Sequence, residues 1–216
     1  MAGVLVKVCG VTNVEDARWA VNFGADFIGL NFARKSPRMV SPEKAGEIVS
    51  GLPGFAKSVG VFVDPDLDFL TRVLAGVKLS VLQFHGVESP EFLGEIKAAF
   101  NLPVWKAVRV QEASSLAQIE LYQNCADQIL LDAYSPDLAG GTGEVFNWDL
   151  AVEAKKFNVP IILAGGLTPL NVADAVRQVR PHGVDAASGV EKTGRPKKKD
   201  MDKMRAFVEA AKGVKL

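Results

Sequence analysis

The chain has little of what a disulfide framework or a metal centre requires. Its 216 residues include two cysteines, Cys9 and Cys125, and two histidines, His85 and His182, with none of the short spacings of zinc ligands. No resident metal is expected, and the sparse cysteines fit a reducing, cytoplasmic setting. An excess of one charge is also missing. Lys plus Arg number 25 against 25 for Asp plus Glu, so the broad positive field of a nucleic-acid-binding protein is not expected. No apolar stretch approaches the ~20 residues that span a bilayer. The start, Met1-Ala2-Gly3-Val4, lacks the basic and apolar segments of a signal peptide. Membrane insertion, secretion and nucleic-acid partners are therefore disfavoured.

What is present is a regular alternation. Apolar runs that read as strands recur at Val4–Cys9, Asp26–Phe32, Ala56–Val63, Ser80–Phe84, Val104–Val108, Gln128–Asp132, Pro160–Ala164 and Gly183–Ala187. Helical periodicity fills the intervals and ends with Met204, Phe207, Val208 and Ala211 in a last helix; the patterns around Ser114–Tyr122 and Trp148–Phe157 are weaker. Ser41-Pro42, Ser89-Pro90 and Thr168-Pro169 each offer a hydroxyl N-cap before a proline at the first helical position, and Thr12 with Glu15 offers a capping box. Eight β-then-α units with no seam in composition predict an α/β protein, a single-domain (β/α)8 TIM barrel over residues 1–216. An open doubly wound sheet is the competing architecture.

In such a barrel the loops at the carboxyl ends of the strands build the active site. Cys9 ends the first run and Asp132 the sixth, which sends a thiol and a carboxyl to one face as a candidate base and acid. Taken alone, each has a plainer role: a small buried hydrophobe for Cys9, a loop cap for Asp132. A catalytic Cys9 must be thiolate, and Lys7, Arg38 or a helix N-terminus is the natural source of the charge that favours it. Gly165 and Gly166 end the seventh run, and Ser188 with Gly189 ends the eighth. Two such loops side by side suit a phosphate, since glycine admits close backbone approach, although each alone reads as a tight turn.

His85 ends the fourth run, as a site-lining group or a hydrogen-bonding support. Asp185 lies inside the eighth strand, where a carboxylate needs a partner; it binds substrate or orients a neighbour. Arg38 follows the second strand, and its planar fork suits a carboxylate. Asp26 and Asp127 precede strands and read as caps or turns. Lys197-Lys198-Lys199 reads as a solvated loop ahead of the last helix. The segment from Ala133 to Asn147, with Gly140-Gly141-Thr142-Gly143, reads as a mobile active-site loop.

In chain order, Lys7-Val8-Cys9-Gly10-Val11-Thr12, Asn31-Phe32 with Ser36-Pro37-Arg38, Leu82-Gln83-Phe84-His85-Gly86, Leu131-Asp132-Ala133, Gly140-Gly141-Thr142-Gly143, Leu163-Ala164-Gly165-Gly166-Leu167, and Gly183-Val184-Asp185 with Ser188-Gly189-Val190-Glu191 resemble the phosphoribosylanthranilate isomerases of tryptophan biosynthesis. The resemblance implies an Amadori rearrangement of N-(5-phosphoribosyl)anthranilate to 1-(2-carboxyphenylamino)-1-deoxyribulose 5-phosphate, with no cofactor. By the same resemblance Asp132 is the general acid at the ribose ring oxygen and Cys9 the base at C2. Arg38 meets the anthranilate carboxylate, and Gly165, Gly166, Ser188 and Gly189 line the phosphate site. The implied partner is a small phosphoribosyl substrate, and the chain is expected as a monomer or homodimer. Two departures stand out: Gly194–Asp200 is longer and more basic than usual, and Phe84 replaces a common leucine. The related isomerase of histidine biosynthesis, or a dual-substrate form, is the enzyme alternative. It carries a carboxylate where Cys9 stands, which favours the anthranilate compound. A non-catalytic phosphosugar-binding barrel is the alternative from another class, and the presence of both Cys9 and Asp132 weighs against it.

Overall fold

The computed structural model describes residues 3–133 and 147–215. Eight parallel strands close into a barrel in chain order: β1 (Leu5–Cys9), β2 (Phe27–Asn31), β3 (Lys57–Phe62), β4 (Val81–Phe84), β5 (Val104–Val110), β6 (Gln128–Ala133), β7 (Ile161–Leu163) and β8 (Gly183–Ala186). β1 pairs with β2 on one side and β8 on the other, so the sheet has no open edge and the doubly wound alternative falls. Around it lie α1 (Val14–Asn22), α2 (Pro42–Ser50), α3 (Leu67–Gly76), α4 (Pro90–Phe100), α5 (Ala117–Tyr122), α6 (Trp148–Ala154), α7 (Val172–Val179) and α8 (Met201–Lys212).

Alternation along each strand divides the apolar residues between two cores. Phe27, Val59, Val81, Trp105, Ala107, Leu130, Ile162 and Ala164, with Leu5 against them, fill the barrel interior. The intervening residues, such as Val6, Ile28 and Leu131, join the helix faces, including Met204, Phe207, Val208 and Ala211. This two-sided burial is why the strands read as continuous apolar runs. It also places the chemistry. Two residues beyond an interior plug position, at the carboxyl end, stand Asp132 after Leu130 and Arg109 after Ala107, while Lys7 and Cys9 follow Leu5 on the same face of β1.

Ser41 and Ser89 cap α2 and α4 as their prolines suggest, accepting the backbone N–H of Lys44 and Phe92. Two other helix starts differ from expectation. Asn13, rather than a Thr12–Glu15 box, caps α1 by accepting the Asp16 N–H; Thr12 instead donates to the Lys197 carbonyl. Thr168-Pro169 does not open α7, because Asn171 Oδ1 takes the Thr168 N–H in a separate turn and the helix begins at Val172. Asp26 and Asp127 brace strand starts, each accepting a backbone N–H at 2.8 Å, from Val6 and Val104.

The basic stretch before α8 is the largest correction. It forms an antiparallel hairpin, β9 (Glu191–Lys192) and β10 (Arg195–Lys199), turning at Gly194. Lys199 is not solvated: it is 2% exposed, with Nζ on the Ala187 carbonyl at 2.8 Å and on Glu191 at 3.3 Å. Two acceptors below the mouth of the barrel pull one lysine of the run inward. The expected loop between Ala133 and Asn147, with Gly140-Gly141-Thr142-Gly143, lies outside the described residues.

Candidate active site

Lys7 and Cys9 share the inward face of β1, and the β1–β8 register sets Lys7 beside Asp185. A charged lysine inside a barrel needs a counter-ion, and Asp185 Oδ2 supplies it at 2.9 Å, with both side chains buried. Burial opposes the Lys7 charge, but Asp185 and Cys9 together outweigh it and lift the ammonium above its ordinary value. The other oxygen, Asp185 Oδ1, is buried with no hydrogen-bond partner among the described residues. For Cys9 the balance runs the other way. Burial pushes the thiol up, and the hydrogen bond and charge of Lys7 recover only part of the shift. The expected lowering by Lys7 is therefore present but outweighed. Gly29, Cys9's partner on β2, makes room for the sulfur: a Cβ there would lie 2.8 Å from Sγ.

Across the mouth, Asp132 Oδ2 meets His85 Nε2 at 3.2 Å, which places His85 against the candidate acid. Arg109 pairs in register with Asp132 and is exposed. Val63, Asp64, His85, Gly86, Arg109 and Gln111 are among the residues lining a cavity of about 390 Å³ above β3–β5. Its position is opposite β7 and β8.

Arg38 is not a free surface cation. It is 8% exposed and grips Glu191 with two bonds, Nε to Oε1 at 2.6 Å and Nη2 to Oε2 at 2.8 Å. Its aliphatic stem lies over Gly10, in the space a Cβ would take. Glu191 also receives Lys199. Burial pushes the Glu191 carboxyl up, but Arg38 and Lys199 together hold it below the usual carboxylate range. The fork expected to meet a substrate carboxylate is thus already engaged along one edge.

Gly165 and Gly166 adopt left-handed backbone at φ +78° and +68°. A Cβ on Gly165 would strike Ala133, and one on Gly189 would strike the Leu167 carbonyl, so the loops after β7 and β8 pack against each other and against the end of β6. Ser188 opens a short 3-10 turn, Ser188–Val190. The four residues expected at a phosphate site therefore form one backbone-lined corner.

Comparison with known proteins bears directly on this arrangement. The family model described as N-(5'phosphoribosyl)anthranilate (PRA) isomerase matches residues 6–210. The chain belongs to the N-(5'-phosphoribosyl)anthranilate isomerase family. Its relatives in the family include the N-(5'-phosphoribosyl)anthranilate isomerase of Geotalea uraniireducens, 50% identical over 97% of this chain and 98% of that one. Among solved structures, monomers generated from the dimeric enzyme of Thermotoga maritima are similar at TM-score 0.84 and 38% identity, covering 98% of this chain and 100% of that one. A family structure in complex with reduced 1-(o-carboxyphenylamino)-1-deoxyribulose 5-phosphate is similar at TM-score 0.85 and 37% identity, with the same coverage.

Four residues of the site escaped the sequence reading. Glu191 was legible only as part of a family motif, and Lys199 was hidden in a charge run. Gly29 and Arg109 acquire meaning only through strand register, opposite Cys9 and Asp132.

Proposed function

We propose that the barrel mouth converts N-(5-phosphoribosyl)anthranilate to 1-(2-carboxyphenylamino)-1-deoxyribulose 5-phosphate, the isomerisation of tryptophan biosynthesis. The observation that carries this reading is the family match across residues 6–210, which spans both Cys9 and Asp132. In the proposed scheme the Asp132 carboxyl gives its proton to the ribose ring oxygen. The C1–O bond breaks as the nitrogen lone pair forms a C1=N Schiff base. Cys9 thiolate then removes the C2 proton, and the C–H electron pair becomes the C1=C2 bond while the nitrogen is neutralised. The enolamine tautomerises to the ketone, so the reaction is redox-neutral and draws only on side chains, with no cofactor or metal.

Placement supports the remaining roles. The corner formed by Gly165, Gly166, Ser188 and Gly189 takes the phosphate, which leaves the aromatic end to the opposite side of the mouth. Arg38 offers its remaining Nη1 edge to the anthranilate carboxylate. Asp185 holds Lys7 through Oδ2 and offers Oδ1 to a substrate hydroxyl, while His85 steadies Asp132. We take the catalytic unit as one domain over 1–216, acting in the cytoplasm as a monomer or homodimer on this small substrate, without nucleic acid or membrane. No helix among the described residues is long and apolar enough to cross a membrane.

The test is to generate the substrate in situ and follow loss of its anthranilate fluorescence, with the histidine-pathway substrate run in parallel. Turnover of the first alone is the expected result. No turnover, or turnover of the second alone, would overturn the reading.

A further inference from the structure

On the outer side of the barrel wall, beneath the cavity that holds His85, lies a buried ion pair that the reaction scheme does not use. Lys106 alternates with the inward-facing Trp105 and Ala107 and so points outward from β5. Its Nζ meets Glu88 Oε2 at 2.9 Å, and the two side chains are 3% and 2% exposed. Such a pair is weak evidence for stability, because desolvation offsets much of the attraction and apolar residues would fill the same volume. What the charges supply here is directed hydrogen bonding to the active-site loops.

Glu88 Oε1 accepts the Asp64 N–H at 2.9 Å and the Gly86 N–H at 3.0 Å; Lys106 Nζ donates to the Gly86 carbonyl at 2.7 Å. Both backbone polar groups of Gly86 therefore end on this one pair. Gly86 directly follows His85, whose Nε2 touches Asp132. The surroundings over-determine the loop. Asp64 sits at φ 45°, a conformation unfavourable for a non-glycine residue, and its Oδ1 accepts the Val87 N–H at 2.7 Å. The Asp64 carboxylate occupies the place a Cβ on Gly86 would need. From the far side, the Tyr122 hydroxyl donates to the Glu88 carbonyl at 2.8 Å, and the Tyr122 ring faces Lys106 Nζ.

We propose that Glu88 and Lys106 are positioning residues for the isomerisation, clamping the Gly86 peptide groups so that His85 is held against Asp132. The proposal rests on the reading of Asp132 as the general acid. It accounts for a buried charge pair where an apolar one would pack, and for the left-handed Asp64 whose N–H shares the Glu88 carboxylate.

The experiment compares Glu88→Gln, Lys106→Met and the double variant Glu88→Gln/Lys106→Met with the wild-type chain. Four quantities are read: kcat, KM, the urea midpoint, and the His85 imidazole resonances, separated from those of His182 by the spectrum of His85→Asn. Each single variant leaves a buried group unpaired and loses stability. Each is expected to lower kcat on the order of 10²-fold, the scale of a small misplacement at a reacting centre, with KM little changed and the His85 resonances displaced. The double variant separates the two effects. Stability recovers because no buried charge is left without its partner, whereas kcat stays low and His85 stays displaced. Turnover that recovers in step with stability, with His85 resonances at their wild-type positions, would show a merely structural pair and overturn the proposal. A wild-type chain that does not turn the substrate over would refute the functional reading instead, and the His85 resonances would still decide whether the pair positions that ring.

Discussion

Arg38 and Glu191, 153 positions apart in the chain, meet through two bonds of 2.6 and 2.8 Å that tie the loop after β2 to the start of β9. The pair engages one edge of the guanidinium, so the structural duty of Arg38 and the recognition duty proposed for its other edge are separable by experiment.

Arg38→Lys keeps a charge but cannot make two parallel bonds. Losing a charged hydrogen bond predicts a fall in kcat/KM of about tenfold or more, with Arg38→Ala worse. Inhibition by a product analogue lacking the aromatic carboxylate should be nearly unchanged. Equal weakening of analogues with and without that carboxylate would assign Arg38 to the loop structure alone.

Glu191→Gln tests the structural half. Removing one partner of a buried pair predicts a loss of about 3 kcal/mol near neutral pH by urea unfolding. Because the folded-state pKa of Glu191 is depressed, its stabilisation is present above the unfolded carboxylate value and lost as pH falls through the folded one. The gap between wild type and variant should therefore narrow in acid. A gap independent of pH would contradict this.

Cys9→Ala and Asp132→Asn should each lower kcat by roughly two to four orders of magnitude with the circular dichroism spectrum unchanged, the usual scale for losing a general base or acid. Near-normal turnover by either folded variant removes that residue from its role.

The Cys9 thiol is pushed up by burial against the pull of Lys7, so the reactive thiolate becomes more abundant as pH rises. Turnover is expected to climb with pH on its alkaline side. Lys7→Met withdraws the favourable charge and leaves Asp185 unneutralised, which moves that climb, and the ultraviolet signal of thiolate formation, to higher pH. A shift to lower pH, or none, would mean that another group governs Cys9.

Two glycines should prove intolerant for steric reasons. In Gly29→Ala the new methyl would lie 2.8 Å from Cys9 Sγ, so the thiol must move; kcat should fall on the order of 10²-fold with KM less affected. In Gly189→Ala the methyl meets the Leu167 carbonyl, and weaker competitive inhibition by inorganic phosphate is expected together with lower stability. Unaltered phosphate inhibition in a folded Gly189→Ala chain would place the phosphate elsewhere.

The barrel was legible because strands buried on both faces leave apolar runs, and because Cys9 and Asp132 close two of them. Register and long-range pairing were not. Nothing near Lys199 in the chain distinguishes it from Lys197 and Lys198, yet it alone of the three is buried, since Ala187 and Glu191 lie beneath it. Thr168-Pro169 carries the same local signal as Ser41-Pro42, but the Asn171 side chain captures the turn and delays α7. Gly29 and Arg109 look ordinary until β1 and β6 are aligned beside them.

The three pairs at the mouth, Lys7–Asp185, Arg38–Glu191 and His85–Asp132, each join a residue from the first half of the chain to one from the second. A chain halted after His85 holds Lys7, Arg38 and His85 with none of these acidic partners, and the remainder holds Asp185 without Lys7 and Glu191 with Lys199 but without Arg38. Two of the pairs, Lys7–Asp185 and Arg38–Glu191, are buried, and neither piece holds both partners of either one. The buried charges of Lys7 and Asp185 thus act as a completion signal for folding: they become tolerable in the interior at the moment the eighth strand meets the first. Activity restored by mixing two separately made halves would report that this meeting had taken place.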